Sequence, residues 1–221
     1  MPVEINDILH VLAHELRTPV GIAHGYVRLL LEDRISEAPD RKRALEQVQK
    51  ALARLTALSN ETTALAAWHE QDAVPNDRRA GARAVIDRVT GADYQSPVTV
   101  DAPAVGDSAM IRTPDVQALG NALVDVVRAT AREIRGEACA VSFRVHGNGL
   151  ELLAGPSERL AQLSVGPDGP DAGPLALERG GLGLTLVHAA VVLDAHGAER
   201  WAINGMRQTA GIRLPLEEQH P

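Results

Sequence analysis

From Ile5 to Leu31 the apolar residues Ile5, Ile8, Leu9, Leu12, Leu16, Val20, Ala23, Val27 and Leu30 recur at three- and four-residue intervals. That is the period of a long amphipathic helix with one buried face. A second run, Leu45, Val48, Leu52, Leu55, Leu58, Thr62 and Leu65, repeats the pattern after a break holding Ser36, Pro39 and Asp40, which turn a chain and start a helix. Two antiparallel helices follow. A lone hairpin leaves part of such stripes exposed, so the pattern predicts a homodimer in which two hairpins make a four-helix bundle.

Between His69 and Arg79 the sequence HEQDAVPNDRR turns polar and carries Pro75 and Asn76. This reads as a linker over 71–78, separating a hairpin of residues 1–70 from a second domain of residues 79–221. In the second domain the pattern predicts a helix near Ala80–Thr90, an extended SPVTVDAP, and a helix from Asp115 to about Arg135. Strand-like ACAVSFRVH and GLELLA then flank a Gly147-Asn148-Gly149 turn. A Gly/Pro-rich stretch, a helix near Leu182–His196 and two short strands ending at Pro215 complete it. The fold class is α+β, a helical hairpin followed by an α/β sandwich.

Composition narrows the functions this fold can have. Aromatics make up only 2% of the chain, and the net charge is −7 with a pI near 5.6. Neither a stacking platform nor the basic footprint of a nucleic-acid binder is present. The single cysteine, Cys139, has no partner for a disulfide or a CxxC site. The first seventeen residues contain no uninterrupted apolar stretch, and the run Leu182–Leu193 is too short to span a bilayer. A cytoplasmic protein without membrane contact is expected.

The sharpest chemical feature is His14-Glu15-Leu16-Arg17-Thr18-Pro19 within the first helix. At about 100° per residue His14 projects roughly 170° from the apolar stripe, with His10 and Thr18 near it on the polar face. An imidazole titrating near neutrality is nucleophilic without strong activation. A neighbouring carboxylate such as Glu15 can orient one ring nitrogen while the other attacks phosphorus. Pro19 cannot donate to the Glu15 carbonyl, so the helix should bend or loosen beneath the histidine. A zinc reading fails, because Thr18 stands where HExxH needs its second histidine and the pair His10/His14 has no third ligand. No metal site is expected.

The string LAHELRTPVGIAHGYVRLL resembles the phosphoacceptor motif of sensor histidine kinases, six consecutive residues of which match. The resemblance implies that His14 is phosphorylated, that Glu15 is its acid/base neighbour, that Arg17 and Pro19 belong to the motif, and that Thr18 positions water for dephosphorylation. The second domain resembles the ATP-binding domain of the same kinases. Gly180-Gly181-Leu182-Gly183-Leu184 is similar to the family's GxGLGL segment, where glycines let backbone amides approach phosphates, and TAGIRLPL is similar to its last strand. On this resemblance Asp125, Gly181 and Gly183 are remnants of a nucleotide site.

Other positions depart from the family. Registered by Asp115 and Leu119, the asparagines of the ATPase helix, one of which holds magnesium, fall on Asp125 and Ala129. The box whose aspartate binds adenine falls on Leu153, Gly155, Pro156 and Ser157. The lid carries Asp168, Asp171 and Glu178 against Arg179 alone, which would repel a triphosphate.

The layout resembles kinase-derived histidine phosphotransferases of two-component phosphorelays. It implies transfer of phosphoryl groups between His14 and receiver-domain aspartates of response regulators, with an upstream histidine kinase as a further partner. No cofactor is expected. Two other readings stay open: a divergent kinase core that binds ATP and Mg, and a pseudokinase adaptor without chemistry.

Overall fold

In a computed structural model the described residues are 3–70, 79–102, 109–178 and 182–217, without the side chains of 7, 64 and 67–70. The linker expected over 71–78 lies outside them. The chain divides into two compact units, Glu4–Ala67 and the remainder from Trp68 to Pro221 with Met1–Val3.

The first unit is a helical hairpin of α1 (Ile5–Leu31) and α2 (Ala38–Glu70). The break at 32–37 reverses the chain with Asp33 in the left-handed region, φ 52°. Along α2, Ala44, Ala51, Leu58 and Leu65 are buried at every seventh position, the spacing of a seam between two helices. On α1 the buried residues are Ile8, Val11 and Pro19. Those three share one face by their three- and eight-residue spacing. The helix runs on through Pro19, whose ring is buried. The apolar stripe read from sequence is therefore divided: Ile8 is buried within the chain, while Ile5, Leu9, Val20 and Val27 are exposed together with Leu45 and Leu52 of α2.

The second unit is an α/β sandwich. Its helices are α3 (Ala82–Thr90), α4 (Val116–Glu133), the single turn α5 (Leu160–Leu163) and α6 (Leu184–Ala195). Strands β2 (Val98–Asp101), β4 (Cys139–His146), β5 (Gly149–Gly155), β6 (Ala172–Gly173), β7 (Glu199–Ile203) and β8 (Ala210–Pro215) form a six-stranded sheet in the order β2-β4-β5-β8-β7-β6. Only β2 and β4 pair in parallel.

Local chemistry explains the boundaries. Asp115 caps α4 by accepting from the amides of Gln117 (2.8 Å) and Ala118 (3.0 Å). The β4–β5 hairpin closes through Gly147-Asn148, with His146 opposite Gly149 and Gly147 at φ 57°. A two-residue turn of this kind favours glycine, whose backbone reaches positive φ without strain.

Alternation along the strands separates two sheet faces. Val141, Phe143, Leu150, Leu152, Ala154, Ile212 and Leu214 pack with α3, α4 and α6 in the main core. The other face holds a small cluster of Leu153, Leu163, Trp201 and Ile203. It also holds a charged row in which buried Glu151 accepts from Arg144 (2.6 Å) and Arg213 (2.9 Å).

Sequence reading did not find the two-stranded sheet of β1 (Arg79–Gly81) and β3 (Met110–Arg112). Glu217 joins it by a bridge to Met110, while its carboxylate pairs with Arg79 and Arg112. No helix among the described residues is long and apolar enough to cross a membrane.

Candidate functional site

His14, Arg17 and Thr18 are exposed on α1, Glu15 is half-buried and Pro19 is buried. The six-residue string thus wraps from the solvent face of the helix to its seam, and the imidazole stands on the solvent side. No hydrogen bond holds His14 among the described residues.

Glu15 is held from the other helix. Its Oε2 accepts from the guanidinium of Arg54 on α2 at 2.8 Å, and Arg54 also donates to Glu61 Oε1 at 3.0 Å. Burial would lower the Arg54 guanidinium, but the hydrogen bonds and charges of Glu15 and Glu61 outweigh it and raise it above its ordinary value. Glu61 Oε2 is buried without a hydrogen-bond partner. An unsatisfied buried acceptor of this kind costs about 1–3 kcal/mol. Sequence reasoning missed both Arg54 and Glu61. The signal was available: Gln47, Arg54 and Glu61 repeat at seven residues, three after the buried Ala44, Ala51 and Leu58, so polar groups occupy half of the seam positions.

In the sandwich, Asp125, Arg128, Ala131 and Arg132 of α4, the 93–96 loop, Leu182 and Thr185 line a cavity of about 370 Å³. Asp125 is mostly buried, and burial pushes its carboxyl up against the opposing pull of Arg128. Arg128 pairs with Asp125 at 3.2 Å and donates to the Asp93 carbonyl at 3.1 Å. Arg132 donates to Gln95 Oε1 at 3.0 Å. Gly183 caps α6 at φ 49°. The amides of Thr185 and Leu186 already bond the carbonyls of Leu182 (3.0 Å) and Gly183 (3.2 Å). Gly181, Gly180 and Arg179 lie outside the described residues.

The two substituted positions stand elsewhere. Ala129, one turn after Asp125, is fully buried in the main core and does not line the cavity. Leu153 packs against Leu163 and Trp201 on the sheet face opposite α4 and α6. Among the described residues no group of three or more His, Cys, Asp or Glu is arranged to hold a metal ion.

Comparison with known proteins agrees with this two-part layout. Residues 4–70 match the His Kinase A (phospho-acceptor) domain. The chain is 26% identical to the sensor histidine kinase TrcS of Mycobacterium tuberculosis, over 94% of this chain and 43% of that protein, and so spans less than half of the relative's length. Its fold is similar to that of the histidine kinase AdeS of Acinetobacter baumannii, with a TM-score of 0.55 and 17% identity, covering 93% of this chain and 98% of that one. Residues 4–70 thus match a His Kinase A phospho-acceptor domain, and the fold of the chain as a whole is similar to that of a histidine kinase.

Proposed function

We propose that the chain is a dimeric histidine phosphotransferase that moves phosphoryl groups between His14 and receiver-domain aspartates of response regulators. The observation that carries this reading is the placement of His14: exposed, unbonded and opposite the apolar stripe, on a matched phospho-acceptor hairpin. In the proposed step the lone pair of one imidazole nitrogen attacks phosphorus of the aspartyl phosphate. The N–P bond forms as the P–O bond to aspartate breaks, and the aspartate keeps the electron pair. Glu15 accepts the remaining ring N–H as positive charge develops on the ring. Thr18, one turn on, is proposed to position water for loss of the phosphoryl group.

The exposed residues Leu9, Val20, Val27, Leu45 and Leu52 support the dimer, because one hairpin leaves them without cover. Transfer rather than autophosphorylation is supported by the cavity residues, which do not fit a magnesium triphosphate. Asp125 is neutralised by Arg128 from its own helix, two amides of the first turn of α6 are bonded internally, and Leu153 offers no carboxylate on the cavity side. The kinase reading draws on one specific observation: the same cavity keeps two guanidinium groups and a carboxylate, the residue types that hold a nucleotide's phosphates and metal.

Incubation with a panel of phosphorylated receiver domains is the test. Label is expected on histidine, stable to base and labile to acid, and absent from the His14→Gln protein, which stays dimeric. Glu15→Gln should slow transfer without ending it, and Thr18→Ala should change mainly the hydrolysis of the phosphoprotein. Normal labelling of His14→Gln overturns the assignment of the histidine. Label taken from γ-labelled ATP by the protein alone puts the kinase reading first.

A further inference from the structure

We propose that Arg54 is a positioning residue that holds the Glu15 carboxylate away from His14, and that Glu61 is the second acceptor that lets Arg54 release it. The inference rests on the reading of His14 as phosphoacceptor and concerns how its neighbour is controlled. Glu15 spends its Oε2 on Arg54 at 2.8 Å, and no hydrogen bond joins it to His14 among the described residues. In this arrangement the group expected to orient the imidazole is engaged with the opposite helix. To act on the ring it has to leave.

A half-buried guanidinium stripped of its counter-charge is strongly unfavourable. The geometry provides a replacement. Arg54 keeps its second terminal nitrogen on Glu61 Oε1 at 3.0 Å, and the other oxygen of that carboxylate, Oε2, is buried with no partner. A guanidinium and a carboxylate can pair through two parallel N–H···O bonds. When Glu15 swings to the ring, Glu61 Oε2 takes the N–H that Glu15 gave up. One charge-assisted hydrogen bond replaces another, and the orphaned oxygen gains its donor. The three groups form a two-position device: in one position Arg54 bridges Glu15 and Glu61, in the other it pairs with Glu61 alone and Glu15 serves His14.

The test measures labelling of His14 by potassium phosphoramidate, where ammonia leaves as the N–P bond to histidine forms, so no partner protein is needed. Arg54→Gln is expected to speed labelling several-fold by freeing Glu15. Glu61→Gln should slow it several-fold, since release would then leave Arg54 without a counter-charge, and Arg54→Lys should return the rate toward the parent's. In a Glu15→Gln background none of these changes should alter the rate. Nitrogen-15 shifts of the His14 ring in Arg54→Gln should show a larger fraction protonated at Nδ1, the nitrogen facing a freed carboxylate. An unchanged or slower Arg54→Gln protein that keeps its helix content overturns the proposal, as does an equal effect in the Glu15→Gln background. A parent protein that takes no label overturns the phosphoacceptor reading instead, and the ring-nitrogen shifts still decide the role of Arg54.

Discussion

The two halves of this molecule handle their apolar residues in opposite ways. In the hairpin, Leu58 is sealed at 0% exposure while Leu52, less than two turns away, stands at 53%. In the sandwich, Leu119, Leu123, Leu150, Leu186 and Ile212 are all closed within one core. The hairpin leaves large apolar residues uncovered, whereas the sandwich encloses its own core. The contrast extends to charge. The sandwich buries a carboxylate, Glu151, with two arginines bonded to it, whereas the hairpin leaves one oxygen of Glu61 waiting.

The contrast is broken most strongly by emptying the closed half. Glu151→Ala leaves Arg144 without its carboxylate partner and Arg213 with Glu199 alone, and the expected loss is about 3–5 kcal/mol. Urea unfolding followed on the sandwich should show it, with the hairpin's helical signal retained. A loss below about 1 kcal/mol would mean that water screens the row.

Leu58→Ala is the equivalent cut in the hairpin, expected to cost about 2–5 kcal/mol within the chain. Leu52→Asp sharpens the comparison, because in a single chain an exposed leucine should tolerate the change. In the proposed dimer it places a charge in the second seam. A fall in dimer affinity of about 100-fold, near 3 kcal/mol, is expected by sedimentation, with no change in sandwich stability. An unaltered dimer would place the interface elsewhere.

The smallest effect separates the halves by pH. His196 is buried, its Nδ1–H donates to the Val192 carbonyl (2.6 Å), and its Nε2 therefore accepts from the Thr113 hydroxyl (2.7 Å). Burial holds the ring below its ordinary value of 6.5, against weaker opposing contributions from Val192 and Asp115. The neutral ring is the folded form, so its contribution is complete above 6.5 and is lost as pH falls toward the lowered folded value. For Glu151, burial pushes the carboxyl up but Arg144 and Arg213 prevail and hold it below its ordinary 4.5. Its contribution is present above 4.5 and disappears as pH drops through the lower folded value. Acid titration of the sandwich should therefore show two steps, and Thr113→Val should cost about 1–2 kcal/mol at neutral pH by removing the hydroxyl donor.

Legibility from sequence followed element length. The hairpin announced itself because a 27-residue and a 33-residue helix repeat their period many times. The start of α4 was marked by the side chain that caps it, Asp115, and the β4–β5 turn by Gly147. The β1–β3 sheet has two strands of three residues, too short to carry an alternation. The role of Glu151 was invisible because it sits in an otherwise apolar run and its partner Arg213 is 62 residues away. At the candidate site the histidine could be read from its own neighbours. For Arg54 the seam position could be read from the seven-residue spacing, but not its partner, since what it holds depends on which residue the facing helix brings opposite. Ala129 was placed at a nucleotide position by register alone, and its burial in the core depends on packing that the register does not carry.

One consequence concerns the connectivity of the sandwich. Arg79, where the described part of the domain enters, and Glu217, where it exits, meet in an ion pair on the β1–β3 sheet. A domain whose entry and exit touch resembles a cassette: it can be lifted out, inserted into a loop of another protein, or cut and rejoined as a circular permutant with little strain on its core.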